Sequence, residues 1–326
     1  MDGLSKAQLD DADFGLANES VLELNSDLYS LEPWVYFHYR LRNLILSAGC
    51  GLELQEMIAK GVEVGDFKVG SESYQARDGL DADERKDQHA FIVLETEVLL
   101  HHAAETLLRL YLAHEGSPAC PWLSMARERD FRRFKKKVKD LLAGLSSRER
   151  RDKMSEVFFG TSDRETLNPV PDGDQWQRLL DNSVDWLKYF AKYILDGNVY
   201  NAAKHGLGVW PQNSALKVEF DGLPDFLNGS GPCLEYLHTE RNSEGRNQWR
   251  RTTKWIQLDR SFGCIHVACA LIHRLWCVAN VRHGNSNSFE LELRTFPSPS
   301  EMLGDDEMVL ATLSRTLHYY ENTPTE

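Results

Sequence analysis

A histidine, a lysine and two asparagines lie close together in the stretch NVYNAAKHGLGVW (198–210). A histidine at the position of His205 exchanges protons near neutral pH, and a cation at Lys204 stabilises negative charge that develops on a substrate. The amide of Asn201 is suited to orienting a polar group. The alternative is structural, because a histidine just before a glycine such as Gly206 is favourably placed at the negative end of a helix.

A second polar group interrupts the long apolar pattern FIVLETEVLLHHAAETLLRLYLAH (91–114). At helical spacing, Glu105 and Arg109 fall in the same sector as apolar residues, with His101 beside them and His102 at its edge. Burying a carboxylate and a guanidinium is costly unless they find partners. The sequence therefore predicts either a structural ion pair or a functional site.

The helix that precedes the first group predicts how the two groups meet. Apolar residues from Trp176 to Ile194 form one stripe at helical spacing. If the helical phase continues past Gly197, then Asn198, Asn201 and His205 extend that buried face. Two buried polar patches in one core best satisfy each other, so we expect this face to meet His102, Glu105 and Arg109.

The segment YNAAKHGL, with the helices over 84–206, resembles the HEPN superfamily of helical bundles. Many members are metal-independent ribonucleases that act as homodimers, in toxins and in anti-phage defence, through an Arg followed four to six residues later by His. The resemblance carries over to His205, whereas Asn198, Val199 and Tyr200 occupy the places of the Arg.

The resemblance implies an endoribonuclease that needs no cofactor. It also implies a partner protein that belongs to the same defence or toxin–antitoxin system. His205 would act as base or acid, Lys204 or Arg109 would stabilise the phosphorane, and Asn201 would orient the scissile phosphate. Glu105 and His102 complete the candidate catalytic set. The missing Arg favours the alternative, a non-catalytic interaction or sensor protein with the same helices.

A metalloenzyme that uses His101, His102 and Glu105 is a third hypothesis, although further ligands are not evident. His266, Cys269, His273 and Cys277 share a helix face but extend over too great a rise to bind one ion, which predicts core residues and no metal site. No phosphate-binding, dinucleotide-binding or zinc-protease motif occurs in the sequence.

Two basic segments suggest RNA as a partner. Residues 127–153 hold twelve Lys or Arg against five Asp or Glu, and RNQWRRTTKW (246–255) alternates cations with tryptophans. Solvated helix faces would look the same, but such residues also bind phosphates and stack on bases. The candidate RNA-binding residues are Arg132, Arg133, Lys135, Lys136, Trp249, Arg250 and Arg251.

The composition indicates a folded protein of the cytoplasm. The 326 residues are 42% hydrophobic and carry a formal charge of −13, which argues against a surface that binds nucleic acid everywhere. Six cysteines without a CxxC pair fit reduced thiols, and the acidic start lacks the features of a signal peptide. The apolar window 264–281 contains two His and an Arg, so we expect a buried helix and no membrane span.

These patterns predict a mainly α fold, a helical bundle core with a small antiparallel β-sheet appendage (α+β). The expected organisation is an N-terminal segment (1–30), a HEPN-like core (31–206) with a basic helical insertion (119–173), a β appendage (207–260) and C-terminal helices (261–326). The expected helices cover 33–61, 83–114, 176–194, 261–282 and 299–321. The expected strands cover 215–220, 232–241, 251–259 and 289–296.

Overall fold

The structure is a computed structural model, and it confirms the predicted fold class: helices dominate, with a small antiparallel sheet. The residues that it describes are 15–49, 67–69, 72–74, 82–116, 118–128, 130–204, 208–220, 223–241, 245, 247–284, 286, 293, 295–304 and 312–317.

Helices form most of the described chain. In chain order they are α1 (Asn18–Tyr29), α2 (Pro33–Ser47), α3 (Ala82–Glu115), α4 (Pro121–Arg127), α5 (Phe131–Gly144), α6 (Arg148–Phe159), α7 (Gly173–Leu195), α8 (Asn198–Lys204), α9 (Leu258–His283) and α10 (Pro299–Leu303). The long helix, the amphipathic helix and the apolar helix near 261–282 are thus confirmed as α3, α7 and α9.

The strands form two antiparallel sheets. Their bounds are β1 (Phe67–Val69), β2 (Glu72–Tyr74), β3 (Val209–Phe220), β4 (Leu223–Arg241), β5 (Asn247–Trp255) and β6 (Thr312–Thr316). β1 pairs with β2, and the larger sheet has the order β3-β4-β5-β6. The helix predicted over 299–321 is wrong, because it ends at Leu303 and β6 follows it; most of the strand predicted over 289–296 lies outside the described residues.

Contacts divide the chain into two compact units. The first contains Met1–Tyr39, Leu99–Gly197 and Gly263–Asp305, and the second contains Arg40–Val98, Asn198–Phe262 and Asp306–Glu326. Both units therefore draw on separate stretches of the sequence, and each holds part of α3.

The first unit is helical, and its basic helix α5 shows how the sequence builds it. Asp130 caps the start of α5, because its carboxylate accepts a hydrogen bond of 2.8 Å from the backbone N–H of Arg132. Phe134, Val138 and Leu141 recur at helical spacing and are buried. This apolar stripe fixes α5 in the unit and leaves its basic residues on the other face.

The second unit packs one face of the larger sheet on helices. Val209, Leu234 and Tyr236 form a buried cluster with Val93 and Leu94 of α3 and with residues of α8. Lys254, on the same sheet face, binds the buried carboxylate of Glu97 on α3. The opposite face of the sheet does not take part in this packing against α3 and α8.

Among the described residues, α9 is long and apolar enough to cross a membrane by length and composition alone. Within its most apolar window, 72% is buried inside the protein. Gly263 in this helix lies against Met302 of α10, whose Sδ would be 3.1 Å from an added Cβ.

Candidate functional site

The polar segment near residue 200 does not continue the helix before it. α7 ends at Leu195, and the separate helix α8 begins at Asn198 after a turn at Asp196 and Gly197. The predicted continuation of the helical phase is therefore wrong.

Within α8, the buried side is apolar. Val199 and Ala203 are buried, whereas Asn201 is half-buried and Lys204 is exposed, 6.0 Å from the ring centroid of Tyr200. His205 lies outside the described residues. The structure thus leaves Lys204 open to solvent and the role of His205 a prediction.

Gly197 lets the end of α7 approach the buried His101 of the long helix. A Cβ added at Gly197 would lie 2.8 Å from Nε2 of His101 and 3.2 Å from the carbonyl oxygen of Ile194. The other ring nitrogen, Nδ1, lies 3.8 Å from a carboxylate oxygen of Glu105. His101 is therefore held where two helices of the first unit meet, and any larger residue at 197 would displace it.

Arg109 is engaged by three groups at once. Its Nε donates a hydrogen bond of 2.7 Å to Glu105, and one Nη donates another of 2.7 Å to the backbone carbonyl of Glu128. Its guanidinium carbon lies 4.1 Å from the ring centroid of Phe134, which is cation–π geometry. Arg109 thus connects α3 to the turn before α5 and to α5 itself, as a structural ion pair does.

His102 lies among aromatic rings. Its ring centroid is 5.0 Å from that of Phe37 and 5.9 Å from that of Tyr36, both in edge-on geometry. These contacts hold the imidazole against α2 by its apolar surface. His102, Glu105 and Arg109 belong to the first unit, while Asn201 and Lys204 belong to the second, so the meeting of the two clusters stays a prediction.

The basic residues of α5 differ in what surrounds them. Arg132, Arg133 and Lys136 are exposed, and none has a carboxylate partner among the described residues. Lys135 instead donates a hydrogen bond of 3.3 Å to the carbonyl of Leu195 at the end of α7, and burial lowers the pKa of its ammonium group. Three of the four residues predicted on this helix are therefore open to an anionic partner.

The next helix, α6, is also basic, but its cations have partners. Arg150 binds Glu115 and Arg151 binds Asp181. Lys153 lies 3.1 Å from Glu149, one helical turn away on the same helix. The basic segment 127–153 thus has exposed cations without carboxylate partners on α5, whereas carboxylates neutralise its cations on α6.

Of the three candidates on β5, the two arginines have carboxylate partners and the tryptophan is exposed. Arg250 lies 2.8 Å from Glu240, and Arg251 donates a hydrogen bond of 2.9 Å from Nε to Glu235. Trp249 is exposed and points to the same sheet face as Arg251, because alternate residues of a strand share a face.

Sequence reasoning missed the other residues on that face. A shallow cleft of about 630 Å³ lies there, and its lining includes Trp210, Leu237, Arg251 and Arg315. TLSRT (312–316) contains a single apolar residue and so carries no alternation that predicts a strand, and it falls within the helix predicted over 299–321. Its pairing with β5 places Arg315 opposite Arg251.

Sequence reasoning also missed a buried aromatic cluster in the first unit. Tyr29 of α1 contacts His114 at 2.6 Å, from its hydroxyl to Nε2, and its ring stacks on His283 of α9. Burial lowers the pKa of His114 to about 4 and, with the nearby positive charges, that of His283 to about 3. Both imidazoles are therefore neutral at physiological pH.

The part of the chain that the structure describes contains no group of three His, Cys, Asp or Glu side chains placed to share a metal ion. The hypothesis of an ion at His101, His102 and Glu105 gains no support from this geometry. Comparison with family models, with curated proteins and with solved structures finds nothing that matches the chain. The HEPN resemblance accordingly remains a prediction that depends on the residues of 84–206.

Proposed function

We propose that this is a cytoplasmic RNA-binding protein with HEPN-like helices, of the non-catalytic interaction type. The observation that supports RNA binding is the open face of α5. Arg132, Lys136 and Lys139 follow one another at helical spacing with Arg133 beside them, and none has a carboxylate partner among the described residues. Unpaired cations that lie in a row suit the phosphates of a nucleic acid strand.

The contacts of Arg109 favour the non-catalytic form. Its guanidinium already donates to Glu105 and to the carbonyl of Glu128, and it stacks on Phe134. Stabilising a phosphorane would require Arg109 to break these contacts, and Asn198 stands where the family Arg is expected. The alternative, a HEPN-like ribonuclease, would depend on His205, assisted by Lys204. A homodimer and a partner protein of a defence or toxin–antitoxin system belong to that alternative.

One experiment tests both forms. Binding of a fluorescent single-stranded RNA by the full chain is measured by anisotropy at several salt concentrations. We expect Arg132→Ala with Lys136→Ala to weaken binding and to reduce the slope of log K against log salt by about 1.4, since each phosphate contact contributes about 0.7. The matched control removes Arg148 and Lys153, which have carboxylate partners on their own helix, and should leave the slope unchanged.

RNA integrity after incubation separates binding from cleavage. Intact RNA with both the wild type and His205→Ala supports the non-catalytic proposal. Cleavage by the wild type that His205→Ala abolishes would overturn it in favour of the ribonuclease. Absence of RNA binding by the wild type would overturn the function as a whole.

A further inference from the structure

The outward face of the larger sheet carries large apolar side chains in solvent. On β3 Trp210 is 70% exposed, on β4 Leu237 is 53% exposed, and on β5 Trp249 is 44% exposed. The opposite face of the same sheet is packed on α3 and α8 within the second unit. Large apolar side chains that are grouped in solvent on one face are typical of a binding surface.

The strand register places these residues in three adjacent rows, the third of which holds Trp249 opposite Thr239. Trp210 is opposite Glu235 and Glu235 is opposite Thr253, while Leu237 is opposite Arg251 and Arg251 is opposite Arg315. Neighbouring strands lie about 4.8 Å apart. Rings and guanidinium groups therefore lie side by side on one face of the sheet.

The acidic residue on this surface is already neutralised. Glu235 accepts hydrogen bonds from Gln212 at 3.0 Å, from Arg251 at 2.9 Å and from the hydroxyl of Thr253 at 3.2 Å. Arg251 remains partly exposed, and Arg315 has no carboxylate partner among the described residues. Two arginines against one satisfied carboxylate leave the surface with a net positive charge.

We propose that this sheet face binds single-stranded RNA through stacking of unpaired bases on Trp210 and Trp249. Arg315 and the exposed side of Arg251 contact the phosphates. Base stacking on aromatic side chains needs bases that are free of a duplex, and a flat sheet does not enter the deep groove of an RNA helix. The inference rests on the proposed RNA binding and adds to it the form of the RNA, unpaired, and the side chains that recognise it.

Charge and chemistry favour this ligand over an apolar protein surface. Trp210, Leu237 and Trp249 follow a diagonal across three strands, and the ion pair of Arg251 and Glu235 lies directly beside them on the same face. A tightly packed protein interface would bury this ion pair, at a desolvation cost. A nucleic acid strand leaves the pair beside solvent and still covers the rings.

The test compares three probes on the full chain: a single-stranded RNA, its duplex, and an oligomer with the same backbone but without bases. We expect the wild type to bind the single strand at least tenfold more tightly than either of the others. Trp210→Ala and Trp249→Ala should each weaken single-strand binding about 5- to 100-fold and leave the salt slope unchanged, since stacking is not ionic. Phenylalanine at either position should retain most of the affinity.

A control keeps the result independent of folding. Trp122 is an exposed tryptophan of α4 in the first unit, and Trp122→Ala should not change the affinity. Arg315→Ala should lower the salt slope by about 0.7, which none of the Trp variants does.

The outcomes distinguish this inference from the proposed function. Loss of binding on removal of Arg132 and Lys136, with no effect of the Trp210 and Trp249 variants, would overturn the sheet inference and leave RNA binding intact. Equal affinity for the single strand and the base-free oligomer would also overturn it. A change of molecular mass in light scattering for the Trp variants, with unchanged RNA affinity, would assign the face to a second copy of the chain and overturn the inference as well.

Discussion

Acid should destabilise the first unit through the buried cluster of Tyr29, His114 and His283. Nδ1 of His114 lies 2.6 Å from the carbonyl of Leu110. A carbonyl only accepts, so Nδ1 carries the proton and Nε2 is left to accept from the hydroxyl of Tyr29 at 2.6 Å. A proton added to Nε2 would compete with that hydroxyl, and the ring would become charged in a buried site.

The magnitude follows from the two pKa values. Burial, with a smaller contribution from Arg282, lowers the pKa of His114 to about 4. Burial, with smaller contributions from His114 and Arg282, lowers the pKa of His283 to about 3. The unfolded chain has an ordinary histidine pKa of about 6.5, so it binds protons first as the pH falls. Stability from these residues is thus complete above about pH 6.5 and is lost progressively toward pH 4 and then 3. At pH 5 each histidine lowers the free energy of unfolding by about 2 kcal/mol relative to neutral pH, and the pair lowers it by about 4 kcal/mol.

Urea unfolding followed by circular dichroism at pH 7.5 and at pH 5 measures this loss. His283→Phe keeps an aromatic ring beside Tyr29 but removes one titrating group, so the difference between the two pH values should shrink by about 2 kcal/mol. His38 is exposed, and His38→Phe should leave the difference unchanged. If the free energy of unfolding of His283→Phe falls between pH 7.5 and pH 5 by as much as that of the wild type and of His38→Phe, the prediction for the buried imidazoles is refuted.

Two further substitutions test contacts within single units. Gly197→Ala should destabilise the protein by about 1–3 kcal/mol in urea unfolding, because its Cβ would lie 2.8 Å from Nε2 of His101. The control is Gly116→Ala, whose Cβ would have no atom within 4 Å. Equal stability of the two variants would contradict the predicted clash. Glu97→Gln should lower thermal stability by about 1–3 kcal/mol, because it leaves the partly buried ammonium of Lys254 without its carboxylate; an unchanged melting temperature would show that the pair does not contribute.

Local periodicity was sufficient to predict the long helices. The stripe that begins at Trp176 and ends at Ile194 is buried in α7, and the long apolar pattern is α3. Each of these patterns extends over several turns, so burial on one face outweighs individual side chains. The fold class could therefore be read from the sequence.

Short elements could not be predicted in this way. The turn at Asp196 and Gly197 interrupts the helix for only two residues, and the periodicity on either side concealed it. β6 is a strand because it pairs with β5, more than fifty residues earlier in the chain. Pairing at that separation leaves no local signal, and Arg315, which the pairing brings beside Arg251, was missed for the same reason.

The role of Arg109 shows the corresponding limit for a candidate site. Its sector on the helix was predicted, but two interpretations of that sector, a structural ion pair and a functional site, remained open. The contacts that bear on them come from the carbonyl of Glu128 and the ring of Phe134, neither of which has a fixed spacing from Arg109. A backbone carbonyl is also present at every residue, so no residue type marks it as a partner.

Net charge is a poor guide to the place where we propose that this protein binds an anion, because the interaction has a short range. At about 0.1 M salt, charges separated by more than about 10 Å are largely screened. The formal charge of −13 is summed over the whole chain, whereas a phosphate at α5 experiences mainly Arg132, Arg133 and Lys136. What decides binding is whether nearby carboxylates neutralise these cations, as Glu115 neutralises Arg150 on α6. We therefore expect that even an acidic protein can bind an RNA strand at a place where a few cations remain unpaired.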